Sequence, residues 1–114
     1  MMSIRPLDLA HHYMDCFYGT CPLQDMENIL APGLKFDGPL YCFSSSRDYL
    51  DSLKRDPPVN STYQLLKQYE CTDGACLVYT FTKPGVETLM TQFFKIKNDR
   101  ITKIKLLFDE QAFH

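Results

Sequence analysis

Tyr13, Asp37 and Gln92 are the residues of this chain whose types and positions could act on a small molecule. A phenol and an amide offer hydrogen bonds, and a carboxylate can take up a proton. Gln92 stands out first. From Val86 to Ile96 the chain alternates with period two, and one face reads Val86, Thr88, Met90, Gln92, Phe94, Ile96. A core strand wants Val or Leu at the centre of such a face. A buried amide without partners costs about 1–3 kcal/mol, so Gln92 either finds protein partners or faces a cavity that holds ligand or water. Tyr13 lies in a helical pattern. Its hydroxyl either meets a bound group or, as in many core tyrosines, reaches the surface or a backbone carbonyl. Asp37 shares a strand face with Lys35, opposite Leu34 and Phe36. Strict alternation turns it outward as a turn aspartate before Gly38-Pro39, whereas a bulge at Gly38 would re-aim it.

Other chemistry is poorly served. His11 and His12 are adjacent on a helix, so their side chains diverge by about 100° and make no paired ligand site. His114 is terminal and takes no role. Cys16–Cys21 and Cys71–Cys76 have four-residue gaps, not the two-residue knuckles of zinc sites. There is no Gly-rich phosphate loop, nucleophile elbow or carboxylate cluster, so neither metal nor cofactor is expected. Net charge is −2, which favours neither nucleic acid nor an anionic membrane. Lys95, Lys97, Arg100, Lys103 and Lys105 read as a solvated basic face. No apolar run approaches the roughly 18 residues of a membrane span, and the N-terminus lacks a signal-peptide stretch. Five cysteines, an odd number, read as reduced thiols. The expected location is cytoplasmic.

The elements that must position these residues follow from local pattern. Leu7–Tyr18 reads as a helix with Pro6 at its start and Gly19 at its end. It is apolar on two sides, through Leu7, Ala10, Met14 and Phe17 and through Leu9, Tyr13 and Cys16, so it must pack on both. Pro22–Leu30 reads as a second helix, stopped by Ala31-Pro32-Gly33. Leu34–Phe36 and Tyr41–Phe43 read as short strands. Ser44-Ser45-Ser46 caps a helix over Arg47–Arg55, buried through Tyr49, Leu50 and Leu53. A four-strand antiparallel meander then begins at Thr62. A three-residue loop, Thr72-Asp73-Gly74, would set Cys71 opposite Ala75. That register puts Tyr63, Leu65, Tyr69, Leu77, Tyr79 and Phe81 on one face, and Cys71 and Cys76 on opposite faces. Pro84-Gly85 makes the next turn. An odd-length loop at Asn98-Asp99 would align Met90, Gln92, Phe94 and Ile96 with Phe108, Leu106, Ile104 and Thr102, whereas a two-residue loop would mix Lys103 and Lys105 into the apolar face. The 114 residues form one domain. Its class is α+β, a cone-shaped curved antiparallel sheet wrapped around N-terminal helices, a cystatin-like α+β barrel. Such a cone leaves a blind apolar pocket.

The order of elements and three strings resemble the nuclear transport factor 2-like superfamily, in its SnoaL-like polyketide cyclase and ketosteroid isomerase branches. The strings are Leu30-Ala31-Pro32-Gly33-Leu34-Lys35-Phe36-Asp37-Gly38-Pro39, Arg47-Asp48-Tyr49-Leu50 and Phe94-Lys95-Ile96-Lys97-Asn98-Asp99-Arg100-Ile101. The likeness spans nearly the whole chain. It implies an oxyanion-donating tyrosine at Tyr13, an aspartate base at Asp37 and an oxyanion donor near Gln92, where the isomerases carry a protonated acid. The implied reaction abstracts a proton beside a carbonyl and stabilises the enolate.

The expected function is therefore binding of a hydrophobic small molecule, with isomerase or cyclase activity as the implied reaction. Phe17, Phe94, Leu106 and Phe108 would line the pocket with Tyr13 and Gln92, and Tyr41, Tyr63 or Tyr79 would stand at its wall or mouth. The competing reading is a non-catalytic assembly or partner-binding module. In it, Leu89, Phe93 and Leu107 on the outer face of the sheet join two copies as a homodimer, and the cone is filled.

Overall fold

The computed structural model describes residues 4–113; Met1–Ser3 and His114 lie outside the described residues. Helix α1 (Pro6–Phe17) is followed by a single 3-10 turn (Leu23–Asp25) and the four-residue α2 (Met26–Ile29). Strands β1 (Leu30–Asp37) and β2 (Cys42–Phe43) precede α3 (Ser46–Arg55). The meander is β3 (Thr62–Cys71), β4 (Gly74–Lys83), β5 (Val86–Lys97) and β6 (Arg100–Phe108), and a 3-10 turn at Glu110–Phe113 follows it. The six strands form one open, curved sheet in the order β2-β1-β6-β5-β4-β3. One pair departs from the antiparallel expectation, since β1 runs parallel to β6. Among the described residues, no helix is long and apolar enough to cross a membrane.

Helix α1 lies in the concavity of the sheet. Pro6 suits its first turn, but Arg5 supplies no side-chain cap. Glu70 of β3 takes that place, since its carboxylate accepts from the Leu7 N–H at 2.9 Å and pairs with Arg5 at 3.1 Å. Gln68 meets the His11 ring at 2.7 Å. Two polar residues of β3 thus pin the helix, and its apolar sides bury Leu9, Ala10, Tyr13, Met14 and Cys16. Helix α3 starts where the serine run predicts, with Ser45 Oγ accepting from the Asp48 N–H.

Several sequence-based expectations need correction. The second helix is broken into two short turns, and Ala31-Pro32-Gly33 does not end a helix but forms a bulge within β1, between Leu30 and Lys35. The β3–β4 loop has two residues, not three, so Cys71 pairs with Gly74 and Glu70 with Ala75. A bulge at Leu66 then restores inward Tyr63 and Leu65. It leaves Tyr69 outward, opposite Cys76 and on the same face as Cys71. All five cysteines are nevertheless free thiols. Finally, the Asn98-Asp99 loop is a two-residue turn with both residues at positive φ (54° and 60°), as an inward-twisting hairpin turn requires. The expected odd residue is Thr102, bulged out of β6 with its hydroxyl bonded to the Lys95 carbonyl at 3.2 Å. Beyond it, Phe94 pairs with Ile104, Gln92 with Leu106 and Met90 with Phe108, as the apolar pattern demands.

Gly74 shows how closely β4 and β5 approach. A Cβ there would stand 2.6 Å from the Phe94 carbonyl oxygen, whereas one at Gly33 meets nothing within 4 Å. Gly74→Ala is expected to destabilise the protein by about 2 kcal/mol, through backbone displacement. Gly33→Ala is expected to be near neutral. Urea denaturation of the two variants checks both.

Candidate functional site

A cavity of about 630 Å³ lies between α1, α3 and the concave face of the sheet, within the usual range for small-molecule sites. Tyr13, Met14 and Phe17 of α1 form one wall, Tyr49 and Leu53 of α3 a second, and Tyr79, Met90, Gln92, Leu106 and Phe108 of the sheet a third. The mouth carries the segment Pro39-Leu40-Tyr41 and the segment from Asp56 to Val59. Phe113 closes part of the rim by packing on Phe81 and Phe108.

Alternation explains who faces inward. Along β5, Met90, Gln92, Phe94 and Ile96 are buried while Leu89, Phe93, Lys95 and Lys97 are exposed. Gln92 is the one buried polar residue among those described. Its Oε1 accepts from the Tyr79 hydroxyl at 2.7 Å. Its amide also meets the neighbouring Tyr13 phenol, and no buried side-chain nitrogen or oxygen among the described residues lacks a partner. Tyr13 in turn shares a hydrogen bond with the hydroxyl of Tyr49. Phe94 packs edge-on behind Tyr13 with ring centroids 5.4 Å apart, and Phe36 stacks behind Tyr49 at 4.8 Å. These contacts fix both phenols before any ligand arrives.

The sequence-selected residues therefore separate. Tyr13 and Gln92 come together on the cavity wall, with Phe17, Tyr79, Leu106 and Phe108 beside them and Tyr41 at the mouth. Phe94 stands one layer behind Tyr13, and Tyr63 stands behind Tyr79 with centroids 5.5 Å apart, so neither lines the space. Asp37 is on the other side of the sheet. Its carboxylate faces outward, 3.8 Å from Lys105 Nζ, and accepts from the Cys42 thiol. The bulge of β1 falls before Lys35, so it leaves the parity of Asp37 unchanged. The base position implied by the isomerase likeness is thus not carried into this cavity.

The sequence pattern does not mark Tyr49 and Tyr18 as polar residues of the site. Tyr49 was visible only as one of three inward positions of α3, and nothing in its helix shows that its hydroxyl meets Tyr13. Arg55, Asp56 and Lys83 also line the cavity, at the ends of elements where periodicity gives no direction. His114 lies outside the described residues. Among those described, no group of His, Cys, Asp and Glu is arranged to hold a metal ion.

Burial pushes the phenols of Tyr13, Tyr18, Tyr49 and Tyr79 well above the ordinary tyrosine range. For Tyr13 the neighbouring Tyr49 phenol adds to the rise and Gln92 opposes it. All four act as neutral hydrogen-bonding groups, not as bases.

Comparisons with known proteins bear on the fold. No family model and no curated protein matches the sequence. Solved structures do. A nuclear transport factor 2-like protein of unknown function from Cytophaga hutchinsonii superposes with a TM-score of 0.79 over 98% of this chain and 96% of that one, at 17% identity. The chain has a nuclear transport factor 2-like fold. A candidate ketosteroid isomerase from Kribbella flavida matches at a TM-score of 0.74 and 16% identity, over 90% of this chain and 76% of that one. A candidate polyketide cyclase from Sinorhizobium meliloti matches at 0.70 and 17%, over 88% and 94%. At these identities the likeness carries the architecture and not the reaction.

The raised phenols have a consequence for stability. Unfolded tyrosines ionise near pH 10. The buried four keep their protons above that pH, so their contribution to folding is complete below pH 10 and is lost as pH rises beyond it. Ultraviolet titration is expected to show phenolate from these four only together with loss of the folded circular dichroism signal.

Proposed function

We propose that this chain is a small-molecule-binding domain whose ligand is a hydrophobic molecule held in the cone. The cavity itself carries the reading: its walls are mostly aromatic and aliphatic, with a single buried amide at their centre. An apolar body gains from leaving water, at roughly 25 cal/mol per Å² of buried apolar surface. Gln92 and the Tyr13–Tyr49 pair then fix orientation through one polar atom of the ligand. Enolate stabilisation by Tyr13 and Gln92 is the reaction this wall suits best. The outward position of Asp37 favours binding over proton abstraction at that residue.

A Gln92→Leu variant tests this. It is expected to fold, with a loss of about 1 kcal/mol because Tyr79 loses its acceptor. It is also expected to weaken binding of a polar-tipped hydrophobic probe such as 1-acetylnaphthalene, measured by titration calorimetry, by about tenfold. Asp37→Asn is expected to leave that binding unchanged. Unaltered binding in Gln92→Leu would contradict the proposal.

A second reading rests on the convex face. Leu89, Phe93 and Leu107 are each about half exposed there, at 57%, 45% and 45%, and exposed Tyr69 shares the face two strands away. Such a patch on a sheet favours a homodimer joined face to face. Sedimentation equilibrium is expected to give a dimer for the native chain and a monomer for Phe93→Glu.

A further inference from the structure

The cavity is polarised from its depth to its rim. Its inner wall holds hydroxyls and one amide but no ionised group. Every charged residue on the lining, Arg55, Asp56 and Lys83, keeps contact with solvent. Arg55 closes α3 and Lys83 closes β4. Neither forms an ion pair with a carboxylate among the described residues. Lys83 is held at the edge, with its ammonium 5.0 Å from the centroid of the Phe113 ring, which itself lines the cavity. Exposed Leu40, Tyr41 and Val59 share the rim with these cations. Pro39, Pro57 and Pro58 lie in the backbone of the mouth, each with φ fixed by its ring.

We propose that the ligand is an amphipathic anion: an apolar body that fills the cone and a single carboxylate that stays at the mouth against Arg55 and Lys83. This rests on the cavity reading above and adds the class of molecule. An ionised group cannot go to the depth of the cone, because no counter-charge waits there and desolvation is costly. A cationic ligand would meet two cations and only one carboxylate, Asp56. A neutral ligand gains nothing from the rim charges. The carboxylate of an amphipathic acid keeps part of its hydration at the mouth and gains both cations, while its apolar part gains the walls. Asp56 opposes the anion and sets a limit on its affinity.

The test uses 11-(dansylamino)undecanoic acid and its methyl ester, followed by dansyl fluorescence on the full chain. The acid is expected to bind about tenfold more tightly than the ester, the size two partly solvated ion pairs supply. Raising salt from about 50 to 500 mM is expected to weaken the acid and spare the ester, since the contacts are screened. Arg55→Gln with Lys83→Gln is expected to remove the acid's advantage and leave the ester unchanged, and Asp56→Asn to tighten the acid alone. Phe93→Glu, on the opposite face of the sheet, is expected to alter neither. Equal affinity for acid and ester, or an advantage that survives the double variant, overturns the anionic class while leaving the cavity reading standing. Binding of neither probe overturns both.

Discussion

Strand parity is the constraint on which the rest of this molecule depends. The Asn98-Asp99 turn sets Lys97 opposite Arg100 and Ile96 opposite Ile101. Continued without interruption, that register would face Phe94 with Lys103 and Gln92 with Lys105, and would drive two lysines into the cone. The bulge at Thr102 removes the conflict by one residue. Ile104 and Leu106 then turn inward, and Lys103 and Lys105 remain on the solvated face. The bulge at Leu66 does similar work on β3, where it lets Tyr63 and Leu65 face the concavity at one end while Gln68 and Glu70 anchor α1 at the other. A sheet whose concave face is mostly apolar, with Gln92 at its centre and charged or polar anchors for α1 at one end, can hold a helix without filling the space beside it.

Gln92 is tolerable only because of that arrangement. In a filled core its amide would need four satisfied sites. Here Tyr79 satisfies the carbonyl, Tyr13 stands beside the nitrogen, and Tyr49 extends the polar line across to α3. The phenols remain neutral because burial disfavours their ionised form. The cavity therefore offers oriented dipoles and no buried charge. Such a wall can recognise a ligand oxygen, and it leaves any ionised end of that ligand to the mouth.

Much of this was legible in the residues. The two-sided apolar pattern of Leu7–Tyr18 demanded a helix packed on more than one side, and Pro6 and Gly19 marked its ends. The alternation of β5 placed Gln92 inward, and the need to keep Lys103 and Lys105 out fixed its pairing with Leu106. The device that achieves this pairing was not legible, because a bulge and a longer loop satisfy the same apolar pattern. The sequence pattern turns Tyr69 inward for a related reason: a two-residue turn and a bulge each shift the face, and neither leaves a period-two signature. Asp37 was readable as outward from Leu34 and Phe36. The Tyr13–Tyr49 contact was not readable, since it joins side chains 36 residues apart through the packing of α1 against α3.

The most direct test is a crystal structure of the protein without added ligand. An open space of about 630 Å³ is expected, walled by Tyr13, Tyr49 and Gln92, with the Tyr79 hydroxyl on the Gln92 carbonyl. A cone closed by side chains, with no open space beside Gln92, would contradict it.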